Sequence, residues 1–238
     1  MPDELENLDL SSKSFDEFVE FFFDRKVVPD EEQFHYFSTD LEGREYDEAV
    51  PSSPSVLVGH MNKLFLEFGR IAPKYSLAQI DQGIWGILGE NLRLYEFLFD
   101  ASVSLPNRLE CIRSMYSVYS DFVAKSEAEP EPDLSGFYMW WDLILHGFWI
   151  PPRPRIAGTY KGDPSRLDEE SRVLLDAMFD TLKRMLDIPH TETQRCALHG
   201  LGHLQHPGVH DAVQRYIENN QSKFSMSWLE ECRDGTVM

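Results

Sequence analysis

TETQRCALHGLGHLQHPGVHDAVQRYIEN, residues 191–219, is the stretch on which the fold turns. Wound into a helix, its first half gathers Cys196, Ala197, Leu198, Leu201 and Leu204 into one apolar stripe, with the small Gly202 beside them. Pro207 lacks a backbone donor and Gly208 relaxes the chain, so HPG ends that helix. A second stripe then runs through Val209, Val213, Tyr216 and Ile217. Two helices joined by so short a link form an antiparallel hairpin.

The same three-and-four spacing recurs outward from this hairpin. Upstream, Leu174, Leu175, Met178, Phe179, Leu182, Met185 and Leu186 line one face, with acids in the first turn and Lys183 and Arg184 near the last, an order that complements the helix dipole. Further stripes run through Leu57, Met61, Leu64, Phe65, Phe68 and Ile71, through Leu77, Ile80, Ile84, Ile87 and Leu88, and through Leu109, Ile112, Met115, Tyr116, Tyr119 and Phe122. Strand signals are poor: QFHYFSTDLEGREY, the best candidate, alternates only weakly. The expected fold is all-α, an irregular helical bundle or solenoid ending in a helical hairpin.

Composition divides the chain. Residues 1–12 read as a disordered N-terminus and 13–148 as a helical body. Residues 149–166, WIPPRPRIAGTYKGDPSR, hold four prolines and two glycines and read as an extended connection. Residues 167–238 then form a C-terminal helical unit packed on the body. EYDEAVPSSPS, residues 45–55, reads as a second, shorter connection.

The hairpin resembles a HEAT-like helical repeat, in which one helix carries an AL..LG.L pattern, a turn holds a proline and the second helix carries V..A...YI. Ala197, Leu198, Leu201, Gly202, Leu204, Pro207, Val209, Ala212, Tyr216 and Ile217 fill those roles. The resemblance covers about 30 residues and has no fixed-period copy elsewhere in the chain. It implies an α-solenoid-like unit whose relatives commonly bind proteins, and it implies solvent-facing positions for His199 and His203.

Four of the eight histidines, His199, His203, His206 and His210, fall within this hairpin. His199 and His203 stand one helical turn apart, a spacing that suits two ligands of one metal ion. HxxxHxxHxxxH nevertheless fits neither HExxH nor a Cys-His finger. His206 sits in the turn and His210 starts the next helix, so the four rings are expected not to converge, and no metal or other cofactor is expected. Asp142 and His146, also one turn apart, lie in the aromatic run FYMWWDLILHGFWI. A carboxylate orienting an imidazole is the supporting half of a catalytic triad or a metal site, yet no GxSxG and no activated cysteine context accompanies it. The tryptophans flanking Asp142 suggest burial, so replacing it should cost more stability than replacing any of the C-terminal histidines.

The formal charge is −19, and residues 1–50 carry 16 acidic against four basic side chains. Such a field repels phosphate backbones and anionic lipid surfaces and attracts basic proteins. The longest apolar run has 14 residues and includes Asp142 and His146, where a spanning helix needs ~20. The first residues lack the basic and apolar regions of a secretory signal, and three widely spaced cysteines suit a reducing compartment, so the expected location is cytoplasmic. The expected function is non-enzymatic binding of a basic protein partner, with an immunity or inhibitor protein as one concrete version. No nucleic acid and no membrane partner is expected. The alternative is a metal-dependent enzyme using Asp142, His146 and the His199–His210 cluster, which requires the 137–149 helix to lie beside the hairpin.

Overall fold

The computed structural model describes residues 6–29, 37, 46–49, 51–89, 92–126, 134–149, 167–220 and 223–237. Among them are nine α-helices: α1 (Phe15–Phe23), α2 (Pro54–Ile71), α3 (Leu77–Leu88), α4 (Leu105–Asp121), α5 (Ser135–Trp149), α6 (Glu169–Leu186), α7 (Thr191–Leu204), α8 (Val209–Asn219) and α9 (Met226–Asp234). The fold is all-α. Among the described residues a single pair of short parallel strands, β1 (Glu6–Leu8) and β2 (Tyr46–Ala49), accompanies the helices.

The chain forms two compact units, residues 1–111 with 128–137, and 112–127 with 138–238. The boundaries between these units fall inside α4 and α5, whereas composition placed its division at the proline-rich stretch. Composition marks where a chain bends, whereas a unit is set by which apolar faces meet. Of the expected connection, residues 150–166 lie outside the described residues.

In the first unit, local capping and aromatic packing act together. Ser14 and Glu17 form a capping box at α1, and Ser76 with Gln79 does the same for α3, each satisfying donors that a helix start leaves open. The run FVEFFF buries Phe18, Phe21, Phe22 and Phe23, and Phe23 meets Phe68 of α2 edge to face at 6.0 Å between centroids. Gly83 lets α3 approach this cluster: a Cβ there would lie 2.4 Å from the Phe23 ring and 2.8 Å from the Phe22 carbonyl oxygen. Asp81 of α3 accepts from the Gly136 amide at 2.8 Å and the Ser135 hydroxyl at 2.9 Å, holding the start of α5.

Part of the expected disordered N-terminus is ordered. Residues 6–8 form β1, and Leu10, in a 3-10 turn that follows, is 1% exposed. The Ser11 hydroxyl donates to Asp9 and accepts from the Ser53 amide at 3.0 Å, so long-range hydrogen bonds hold a segment that has no periodicity of its own. β2 lies in the stretch expected to be a connection.

The second unit is organised around α7. Helix α6 packs along one side of it and α9 along another, with α8 closing the hairpin. The Tyr216 hydroxyl of α8 donates to Gln194 near the start of α7 at 3.0 Å, so the two helices run antiparallel, and Gln194 in turn donates to the Leu186 carbonyl that ends α6. Gln205 adopts a left-handed φ of 54° at the end of α7. Two glycines allow the close approaches. A Cβ on Gly200 would stand 2.7 Å from Trp141 Cβ and 2.9 Å from Leu182, and one on Gly202 would stand 2.4 Å from Val237 and 3.1 Å from the Cys232 Cα.

Gly200→Ala is therefore expected to destabilise the protein by ~1–3 kcal/mol, since the added carbon meets the stiff base of Trp141 and outweighs the gain in helix propensity. Gly59→Ala on α2, where nothing lies within 4 Å, should instead stabilise by up to ~1 kcal/mol. Thermal unfolding of both variants checks the contrast.

Candidate functional site

Helix α5 carries Tyr138 and Asp142 one turn apart, and α7 carries Arg195, His199 and His203 at two successive turns. The close approach at Gly200 brings these two rows together. The Tyr138 ring stacks on His199 with centroids 4.2 Å apart and planes at 21°, and the Arg195 guanidinium lies 4.6 Å from the centre of the same tyrosine. His203 Nε2 is 3.2 Å from His199 Nε2, and Asp142 Oδ1 is 3.5 Å from His203 Nδ1. The three groups make a row, Asp142, His203, His199, that runs from solvent into the core.

Exposure along that row corrects two expectations. His199 is 1% exposed, not solvent-facing, because α7 is covered on several sides instead of presenting one inward stripe. Asp142, expected to be buried, keeps 35% of its side chain exposed, and His203 keeps 24%. The buried tryptophans at 140 and 141 turn inward while the next residue on the helix turns out.

Burial pushes the His199 imidazole down to about 4, helped by the neighbouring His203 and opposed by the Asp142 carboxylate and the Tyr138 backbone. His199 is neutral at pH 7 and has one ring proton to place. A carboxylate beside His203 Nδ1 favours the proton on that nitrogen, which leaves His203 Nε2 as acceptor for an Nε2–H of His199. His199 Nδ1 is buried on the other side of the ring, where the Tyr138 backbone is the neighbouring polar group.

The other candidates stand apart from this row. His206 Nδ1 accepts from the Gly208 amide at 2.9 Å, its Nε2 faces Asp176 at 3.0 Å, and its ring stacks on Phe179 at 4.0 Å. It holds the turn. His210 is 63% exposed beside Asp211. His146 lies one turn beyond Asp142 on α5, with its side chain outside the described residues. Among the described residues no three His, Cys, Asp or Glu side chains form a metal-holding group. Cys111, Cys196 and Cys232 are buried, and burial raises all three thiols, Cys196 and Cys232 to about 12, so none is an activated nucleophile.

Tyr138 and Arg195 are the members of the site that sequence reasoning missed. Their signal was spacing, since Tyr138 precedes Asp142 by four and Arg195 precedes His199 by four. Comparison with models of known protein families, with curated proteins and with solved structures finds no match.

Burial reverses the expected order of mutational cost. His199→Ala should lose more than ~2 kcal/mol of stability, while Asp142→Asn should lose under ~1 kcal/mol, as denaturant unfolding would show. The depressed His199 value also has a sign. Between its ordinary 6.5 and about 4, the unfolded chain binds a proton that the folded chain refuses. Stability should fall as pH drops through that window, by ~3 kcal/mol from this residue, and level off below it. Unfolding free energies measured with a chelator present should show His199→Gln lacking that part of the slope.

Proposed function

We propose that this protein is a non-enzymatic helical binding protein whose partner is a basic protein. The observation that carries this reading is the outer face of α6. Glu169, Asp176, Asp180 and Asp187 are all exposed at spacings of seven, four and seven, so they fall on one line along and just past the helix, flanked on the same face by Arg172, which pairs with Glu169, and by Lys183 and Arg184. That line extends for about 27 Å, the length of an 18-residue helix. Helix α1 likewise exposes Asp16, Glu17 and Glu20, followed by Asp24. Acidic faces of this kind raise the encounter rate with a positively charged surface and disfavour nucleic acid.

The resemblance of residues 191–219 to a HEAT-like repeat supports the same reading, because relatives of that unit commonly bind proteins. An immunity or inhibitor protein acting on a basic toxin is its most concrete form, and a cytoplasmic location fits it. Among the described residues no helix is long and apolar enough to cross a membrane. The reading as a metal-dependent enzyme is favoured by one observation, that α5 does lie beside α7, as that chemistry requires.

The test is association of the untagged chain with small basic proteins as ionic strength rises toward 1 M, where the Debye length falls to about 3 Å. Binding should be present at low salt and weaken steeply. The combined variant Glu169→Gln, Asp180→Asn, Asp187→Asn should bind at least several-fold more weakly than the parent. Absence of association at low salt removes the charge argument.

A further inference from the structure

We infer that His199 and His203 form an open binding site for a divalent transition metal of the zinc, nickel or copper class, with Asp142 orienting His203 from behind. This inference is independent of the charge-based reading of the surface. It rests on how two nitrogens face each other. Zinc bound to imidazole at about 2.0–2.1 Å with tetrahedral angles places two ligand nitrogens about 3.3 Å apart. The two Nε2 atoms here are 3.2 Å apart on consecutive turns of one helix. They already hold the separation the ion needs.

Two further features mark the pair as built. The ring of His199 is buried and stacked on Tyr138, so its direction is set by packing and costs nothing to set on binding. The far nitrogen of His203 faces a carboxylate, the arrangement that orients a metal-bound imidazole and increases its basicity. His199 Nδ1, beside the Tyr138 backbone, carries the ring proton when Nε2 gives its lone pair to the ion. The proton that lies between the rings in the metal-free protein thus moves to the other nitrogen of the same ring, and the charge of the protein is unchanged.

Two protein ligands make an open, exchangeable site. Solvent reaches it from the side of His203 and Asp142, which are partly exposed, so water fills the remaining positions. Imidazole nitrogen with water is a ligand set that suits zinc, nickel and copper, whereas calcium and magnesium prefer oxygen alone.

The experiment is calorimetric titration of the untagged full chain with Zn2+, paired with long-range nitrogen–proton spectra of the histidine rings. One ion per chain should bind, and the Nε2 signals of His199 and His203 should move while those of His206 and His210 stay. His203→Ala, at a partly exposed position that tolerates truncation, should weaken binding at least tenfold. Asp142→Asn should weaken it about 10- to 100-fold, as loss of a carboxylate behind a ligating imidazole does. His210→Ala should bind as the parent does. Failure to bind zinc stoichiometrically, or binding that survives His203→Ala unchanged, would overturn the inference and leave the 3.2 Å contact as an ordinary N–H···N bond.

Discussion

Helix α7 can be covered on several sides only because it carries glycine at 200 and 202. Side chains at those positions would collide with Trp141 and Leu182 on one side and with Val237 and the Cys232 backbone on the other. Close approach of this kind brings Leu182, Leu198, Leu201 and Leu229 into a core with no exposed surface. Interiors pack as densely as organic crystals, so one contact of this type determines where its neighbours sit. The hydrogen bonds from Tyr216 to Gln194 and from Gln194 to Leu186 then fasten three helices at the same end of α7.

The chemistry of the site follows from that burial. The same approach that seats Gly200 on Trp141 seats His199 on Tyr138 and points His203 toward Asp142. A histidine drawn out of water this far stays neutral, so it offers a lone pair and a donor but no charge. Acidic side chains are exposed elsewhere, on the outward faces of α1 and α6, where those of α6 stand among the basic Arg172, Lys183 and Arg184. Surface and interior therefore differ in chemistry: exposed carboxylates outside, and a pair of neutral ring nitrogens 3.2 Å apart within.

Much of the local structure was legible residue by residue. Leu57, Met61, Leu64, Phe65, Phe68 and Ile71 repeat at three and four because one face of α2 must leave water, and all six are buried. Ser14 with Glu17 and Ser76 with Gln79 cap two helix starts by chemistry that operates within four residues, a local signal that the reading of the sequence passed over. The aromatic runs at 15–23 and 137–148 similarly supply core side chains, among them Phe18, Phe22, Trp140 and Trp141. The row of acids on α6 was present in the sequence as well, although its alignment shows only once the helix is wound.

The amino-acid sequence by itself determined the helices, their caps and their apolar faces, because those depend on neighbours one or two turns away. Only the tertiary structure decided that Leu10 is buried, that the compact units divide inside α4 and α5, and that His199 faces inward while Asp142 faces out. A flanking position on a helix is exposed or buried according to how many other helices cover it. That number is set by which chain segments meet across long sequence separations, here by two glycines whose missing side chains have meaning only against Trp141, Leu182 and Val237.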